Sequence, residues 1–194
     1  MKKEEVILVN KIVAVVGMAG SGKSIATSYL EEHGWNKIYF GGLIYDRMRQ
    51  DGIEITPLSQ KIYREKIRKE YGMGAVALLL KDEIRKSYLQ GNTVLDGLYS
   101  WDEYLILRKE FGDALKLICV CCDKKIRYER VKNRVDRPFD EEEILDRDLS
   151  EITNLSKGGP IAFSDYYIFN NGNLSDYKKR LLEILDLIDK EGVK

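Results

Sequence analysis

The sequence predicts an α/β fold built on a parallel sheet, and three observations point to it. An uninterrupted, β-branched apolar run, Ile12-Val13-Ala14-Val15-Val16, reads as a strand buried on both faces. It leads directly into the turn Gly17-Met18-Ala19-Gly20-Ser21-Gly22-Lys23-Ser24, after which Ile25, Ala26, Tyr29 and Leu30 recur at helical spacing. Further short strand-like runs then alternate with helical segments along the rest of the chain, giving five strands in all.

The elements follow in order. The first helix stops at His33-Gly34, where the histidine reads as a surface cap. Residues 37–40 form a second short strand, followed by Gly41-Gly42 and a helix over 43–50. Thr56-Pro57 opens another helix by the N-cap and N1 rule, running to about residue 70, and a further one spans 75–89 up to Gly91. Helices in succession with no strand between them exceed one crossover and read as an inserted substrate-holding lobe. Thr93-Val94-Leu95 is the third strand and delivers Asp96-Gly97 to the carboxyl edge of the sheet, where open α/β sheets bind ligands. Asp96 either orients a Mg²⁺-bound water or an acceptor hydroxyl, or caps the helix that starts near Trp101. Residues 115–121 are the fourth strand. After Asp123 comes a basic helix in which Arg127, Arg130 and Arg134 fall at i, i+3 and i+7 on one face. An acidic helix from about Glu141 carries Arg147-Asp148. Tyr166 to Phe169 is the last strand, leading through Asn170-Asn171-Gly172-Asn173 into an amphipathic helix with Tyr177, Leu181, Ile184, Leu185 and Ile188 on one face.

The eight-residue turn carries the chemistry. In G-x-x-x-x-G-K-[ST], Gly17, Gly20 and Gly22 let the backbone curl so that successive N–H groups, those of Met18, Ala19 and Ser21 included, face phosphate oxygens. Lys23 is placed for the β- and γ-phosphates and the Ser24 hydroxyl for Mg²⁺, while the helix that begins here adds its positive end. The expected cofactors are ATP and Mg²⁺.

Composition narrows the setting. At 194 residues and 44% hydrophobic, the chain suits one filled α/β core with insertions. Lys plus Arg and Asp plus Glu number 32 each, so there is no global field of the kind that non-specific nucleic-acid binders carry. No apolar segment has the length to span a bilayer, and Met1 to Asn10 lacks the form of a signal peptide, so a cytoplasmic protein is expected. Cys119, Cys121 and Cys122 lack C-x-x-C spacing and a histidine partner. They read as buried thiols rather than a disulfide or metal site.

With these residues in place, the chain resembles the nucleoside monophosphate kinase and dephospho-CoA kinase group of P-loop kinases, and within it the adenylate-kinase-related proteins. The likeness rests on Gly17 to Ser24, Asp96-Gly97, the arginine helix, and Ala162-Phe163-Ser164-Asp165-Tyr166 with Asn170-Asn171-Gly172. It implies a three-layer fold with a five-stranded parallel sheet of order 2-3-1-4-5. The core would be residues 9–40, 92–132 and 160–190, with a substrate-binding insert at about 41–91 and a lid at about 133–159. It further implies lid arginines Arg130, Arg134 and Arg137, with Asn171 and Gly172 beside the adenine. The chain departs from the pattern of adenylate kinases where Gly41-Gly42 lacks the expected aspartate and arginine and where Asp96-Gly97-Leu98-Tyr99-Ser100 carries no arginine. The usual AMP-phosphate clamp is therefore incomplete. Arg68 is the candidate replacement, and Gly41, Arg68, Asp96 and Tyr99 are expected to meet in one acceptor pocket, flatter and less cationic than an AMP site.

The function expected is ATP-dependent transfer of a phosphoryl group to a small nucleotide-like acceptor by a monomer or homodimer, with no nucleic-acid or membrane partner. Lys23, Arg130, Arg134 and Asp96 would act on the reacting groups, with Ser24 and Asp96 toward the metal. A nucleoside monophosphate is the first acceptor and the hydroxyl of dephospho-CoA the second; for the latter Asp96 would be a general base. A regulatory ATPase is the alternative from another class.

Overall fold

The computed structural model describes residues 10–135 and 138–191. Its centre is β1 (Ile12–Val16), a strand whose five residues are completely buried because it is flanked on both sides. It pairs in parallel with β3 (Thr93–Asp96) on one side and β4 (Leu115–Cys121) on the other. β2 (Asn36–Tyr39) and β5 (Tyr166–Phe169) complete a parallel sheet of order β2-β3-β1-β4-β5. This is the topology the resemblance implies.

Alternation along β1 divides the core in two, since successive side chains point to opposite faces. Ile12, Ala14 and Val16 join a cluster with α2 (Phe40–Gln50), α3 (Pro57–Tyr71), α4 (Ala75–Gln90) and α5 (Trp101–Phe111). Val13 and Val15 join another with α1 (Lys23–Glu32) and α9 (Leu174–Glu191), whose Tyr177, Leu181, Ile184 and Ile188 form the expected apolar stripe. Helices cover both faces, so the fold has three layers. A smaller cluster of Ala19, Tyr128, Val131 and Ile144 seats α6 (Lys124–Lys132) and α7 (Glu141–Thr153) on the glycine-rich turn. The short α8 (Gly158–Ala162) leads to β5.

Local sequence explains the helix ends. Thr56 accepts a hydrogen bond from the Ser59 N–H at the start of α3, Ser100 does so from Glu103 at α5, and Asp140 from Glu143 at α7. Asp96 is thus not the cap of α5. His33 caps α1 at the surface as expected, its Nδ1 lying 2.7 Å from the Tyr29 carbonyl oxygen.

Three readings change. Helix α2 begins at Phe40 rather than residue 43 and takes Gly41-Gly42 into its first turn, because the Phe40 side chain is drawn into the core beside Ile44 and Met48. On α1, Ile25 is exposed and Thr27 is buried, because the Thr27 hydroxyl is used to hold Asp96. Helix α6 ends at Lys132 with Asn133 as its C-cap, so Arg134 leaves the helix and the predicted three-arginine face is broken. The inserted helices, meanwhile, are not detached from the core. Val76, Leu80 and Ile84 of α4 lie in the same cluster as the β1 side chains.

Among the described residues no helix is long and apolar enough to cross a membrane. Phe40 tests the seam between the insert and the sheet: it is 1% exposed, and Phe40→Ala should cost about 3–5 kcal/mol. Urea unfolding would show this as a lower midpoint at unchanged slope.

Candidate active site

The turn between β1 and α1 is held by Asn170 and Arg127. A Cβ on Gly20 (φ +79°) would sit 2.5 Å from the Arg127 carbonyl oxygen, and one on Gly22 (φ +105°) would sit 2.3 Å from Asn170 Nδ2. Only glycine combines that backbone with that proximity. Asn170, at the end of β5, donates from Nδ2 to the Ser21 carbonyl at 2.7 Å. Arg127 of α6 is buried and donates from Nη1 to the Ala19 carbonyl at 2.8 Å, while its Nη2 pairs with Asp148 of α7 at 2.8 Å. These contacts leave the carbonyls occupied and the loop curled for anions.

Lys23 opens α1 and donates from Nζ to the Met18 carbonyl at 3.0 Å, spanning its own loop. Burial, helped by the nearby Lys157 ammonium, pushes Lys23 down to about 7 from an ordinary value of 10.5. Ser24 is exposed on the first turn of the same helix. Asp96 lies across from Val15 in the β1–β3 register, and its Oδ2 accepts from the Thr27 hydroxyl at 3.0 Å and lies 3.9 Å from Lys37 Nζ. Its other oxygen takes no hydrogen bond among the described residues. A hydroxyl and a carboxylate oxygen are hard donors that fit Mg²⁺. No cluster of three or more His, Cys, Asp or Glu forms a protein cage among the described residues, so such an ion would take its remaining ligands from phosphate and water.

Facing Lys23 is a charged group from α7 and the segment after it. Lys157 is 1% exposed and donates from Nζ to Glu151 Oε2 at 2.5 Å, while Arg147 donates from Nε to Glu151 Oε1 at 3.1 Å. The Lys157 ammonium also lies 4.8 Å from the Tyr99 ring centroid. Burial, then the nearby Tyr39, raises the Tyr99 phenol above its ordinary range, with Arg147 and Asp96 among the charges it feels. On α3, Arg64 is held below the usual arginine value by burial and by the like charges of Arg68 and Arg147, with Tyr99 and Tyr45 the opposing influences. Arg68 also acts on Glu103, which burial pushes up to about 7 although it accepts from the Tyr99 and Ser100 N–H groups.

Asp96, Tyr99 and Arg68 lie within electrostatic reach of one network, and Gly41 joins through Tyr39, whose ring carbon Cζ would be 2.4 Å from a Gly41 Cβ. Arg64 lies within electrostatic reach of both Arg68 and Arg147. Arg64 was legible as the i, i+4 partner of Arg68 on one helix face; Arg147 and Lys157 are brought in only by packing. Arg130 turns elsewhere, donating to the Asn170 carbonyl at 2.9 Å and lying 3.3 Å from Cys122 Sγ. Arg134 stands past the α6 cap, and Arg137 lies outside the described residues. The Asn171–Gly172 turn is exposed beside the loop, with Asn171 Oδ1 accepting from the Asp123 N–H at 2.9 Å. A cavity of about 210 Å³ flanks the loop on the β4 side, lined in part by Gly17, Met18, Ser21 and Cys122. Cys119, Cys121 and Cys122 are free thiols; burial and the neighbouring Cys121 push the Cys119 thiol up.

Residues 13–152 match a family model described as an AAA domain. A UPF0200 protein of Thermococcus kodakarensis is 32% identical over 182 residues, spanning 91% of this chain and 97% of the relative. Among solved structures, a gluconokinase from Sinorhizobium meliloti superposes with a TM-score of 0.58 at 17% identity over 95% of each chain. A shikimate kinase from Bacteroides thetaiotaomicron does so with a TM-score of 0.58 at 9% identity over 92% of this chain and 98% of its own. At such identities the likeness shows the fold, which is that of P-loop kinases.

Lys23 generates a pH prediction. Above pH 7 the free protein carries a neutral Lys23, whereas bound phosphate favours the ammonium, so triphosphate binding takes up a proton. Affinity should then fall with rising pH by up to about tenfold per unit above 7. Calorimetric titration in two buffers of different ionisation enthalpy checks the proton uptake, which Lys23→Met should abolish.

Proposed function

This chain belongs to the UPF0200 proteins and carries an AAA domain, and from that premise we propose that it is an ATP-dependent phosphotransferase acting on a small anionic acceptor. One observation supports the reading: besides the preformed phosphate loop, Arg64 of α3 lies within electrostatic reach of both Arg68 and Arg147, a second group of cations suited to an acceptor's anionic group. A regulatory ATPase needs the loop and has no use for the second group of cations.

The roles follow from position. Loop N–H groups and Lys23 hold the donor phosphates, while Asn171-Gly172, with Arg130 fixing the turn through the Asn170 carbonyl, faces the base. Ser24 and Asp96 would hold Mg²⁺, which would supply positive charge to offset that of the donor phosphates. Arg147, on α7, acts electrostatically on Lys23 and stabilises charge on the moving phosphoryl. Arg64 and Arg68 hold the acceptor's own anionic group, and Tyr45 and Tyr99 offer it rings. A nucleoside monophosphate fits this description. A hydroxyl acceptor is favoured by one feature, the second Asp96 oxygen, which takes no hydrogen bond among the described residues and would take the hydroxyl proton.

The test is ATP and Mg²⁺ with a panel of nucleoside monophosphates, deoxynucleotides and dephospho-CoA, following both ADP and phosphorylated product. Lys23→Ala should lower turnover roughly a hundredfold or more while the fold persists. Arg64→Ala and Arg68→Ala should each raise the acceptor KM by about tenfold or more and leave the KM for ATP nearly unchanged. ADP formation that ignores every acceptor would identify an ATPase instead.

A further inference from the structure

Lys157 is an unusual residue to find buried. Its ammonium is held by Glu151 and the Tyr99 ring within electrostatic reach of Lys23, and the residue before it, Ser156, is the one non-glycine with positive φ among the described residues, at +50°. A strained backbone next to a buried charge means that the surroundings enforce the placement. The Lys157 N–H reinforces it by donating to the Glu151 carbonyl at 3.1 Å.

Glu151 sits at the centre of the charges. Its two oxygens are divided between Lys157 and Arg147, one each, in the arrangement a phosphoryl group with two accepting oxygens would require of the same cations. Burial alone would raise its carboxyl, yet Lys157, Arg147 and Lys23 carry it below the usual range. Lys23 in turn feels both Lys157 and Glu151. The carboxylate that holds Lys157 and Arg147 is thus electrostatically coupled to the lysine of the phosphate loop.

Resting on the phosphotransferase reading, we infer that Glu151 is an internal phosphate mimic: it positions Lys157 and Arg147 and yields them to a phosphoryl oxyanion that enters the pocket. Lys157 thereby becomes a further phosphate-binding cation of the site. The exchange makes or breaks no covalent bond. One carboxylate releases two cations, and an anion of greater charge takes them. Glu151 is a positioning residue, and its presence weakens phosphate binding, which a purely structural ion pair would not do.

The probes are magnesium AMP-PNP for the donor side and AMP for the acceptor side. In Glu151→Gln, which removes the competing charge at constant shape, at least one of them should bind about tenfold more tightly than in the wild type, and the one that does identifies the phosphate that displaces Glu151. Lys157→Gln should weaken binding of the same probe. Unchanged or weaker binding of both probes by folded Glu151→Gln overturns the inference. Should Glu151→Gln fail to fold, the side-chain NMR signal of Lys157 in the wild type decides: a shift at saturation supports release from Glu151, and an unmoved signal with probe bound overturns it. A wild type that binds neither probe overturns the phosphotransferase reading as well, whereas binding with Lys157 unmoved leaves that reading standing.

Discussion

Arg127 ties the parts of the site into one body. One arm of its guanidinium holds the Ala19 carbonyl of the phosphate loop and the other pairs with Asp148, while its own carbonyl presses against Gly20. Loop shape and the seating of α7 therefore depend on the same side chain. A buried pair of this kind adds little net stability against an apolar substitute, but losing one partner strands the other charge at a cost of about 3–5 kcal/mol. Its value here is positional. The next acidic residue of the same helix face, Glu151, lies one turn on from Asp148 and is buried by the same seating.

Around that anchor the site concentrates positive charge in a partly dry space. Lys23, Lys157, Arg147, Arg64 and Arg68 all feel at least one of the others, and burial, with these like charges added, lowers Lys23, Lys157 and Arg64. Like charges gathered at low dielectric oppose folding unless anions join them. Glu151 is the internal anion, and phosphate is the external one that suits both the loop and the arginines. The tension between stability and function is ordinary for a binding site: what costs free energy in the free protein is recovered when the ligand binds.

Much of this was legible in the chain itself. The strand entering Gly17–Ser24 and the helix leaving it are local events, set by β-branched periodicity, glycine and helical spacing, and the structure has them where the sequence puts them. The later strands at Leu115–Cys121 and Tyr166–Phe169, and the Thr56 cap, were equally local. Boundaries moved where a side chain answered to the core instead of its neighbours. Phe40 extends α2 backward to reach Met48, and Thr27 replaces Ile25 on the buried face because Asp96 needs its hydroxyl.

By itself, then, the sequence determined the fold class, the phosphate loop and the carboxylate at the sheet edge, because each depends on residues adjacent in the chain. Only the tertiary structure decided which cations serve the site. Arg127, Arg130 and Arg134 look equivalent along a helix, yet one is buried beneath the loop, one is bound to the Asn170 carbonyl, and one follows the helix end. Arg147 and Lys157 reach Lys23 from more than a hundred residues away in the chain. Their placement comes from the packing of α6 and α7 and from two buried ion pairs. Those are long-range terms that no local pattern of charge encodes, since a basic residue on a helix has the same sequence signature whether it faces water or phosphate.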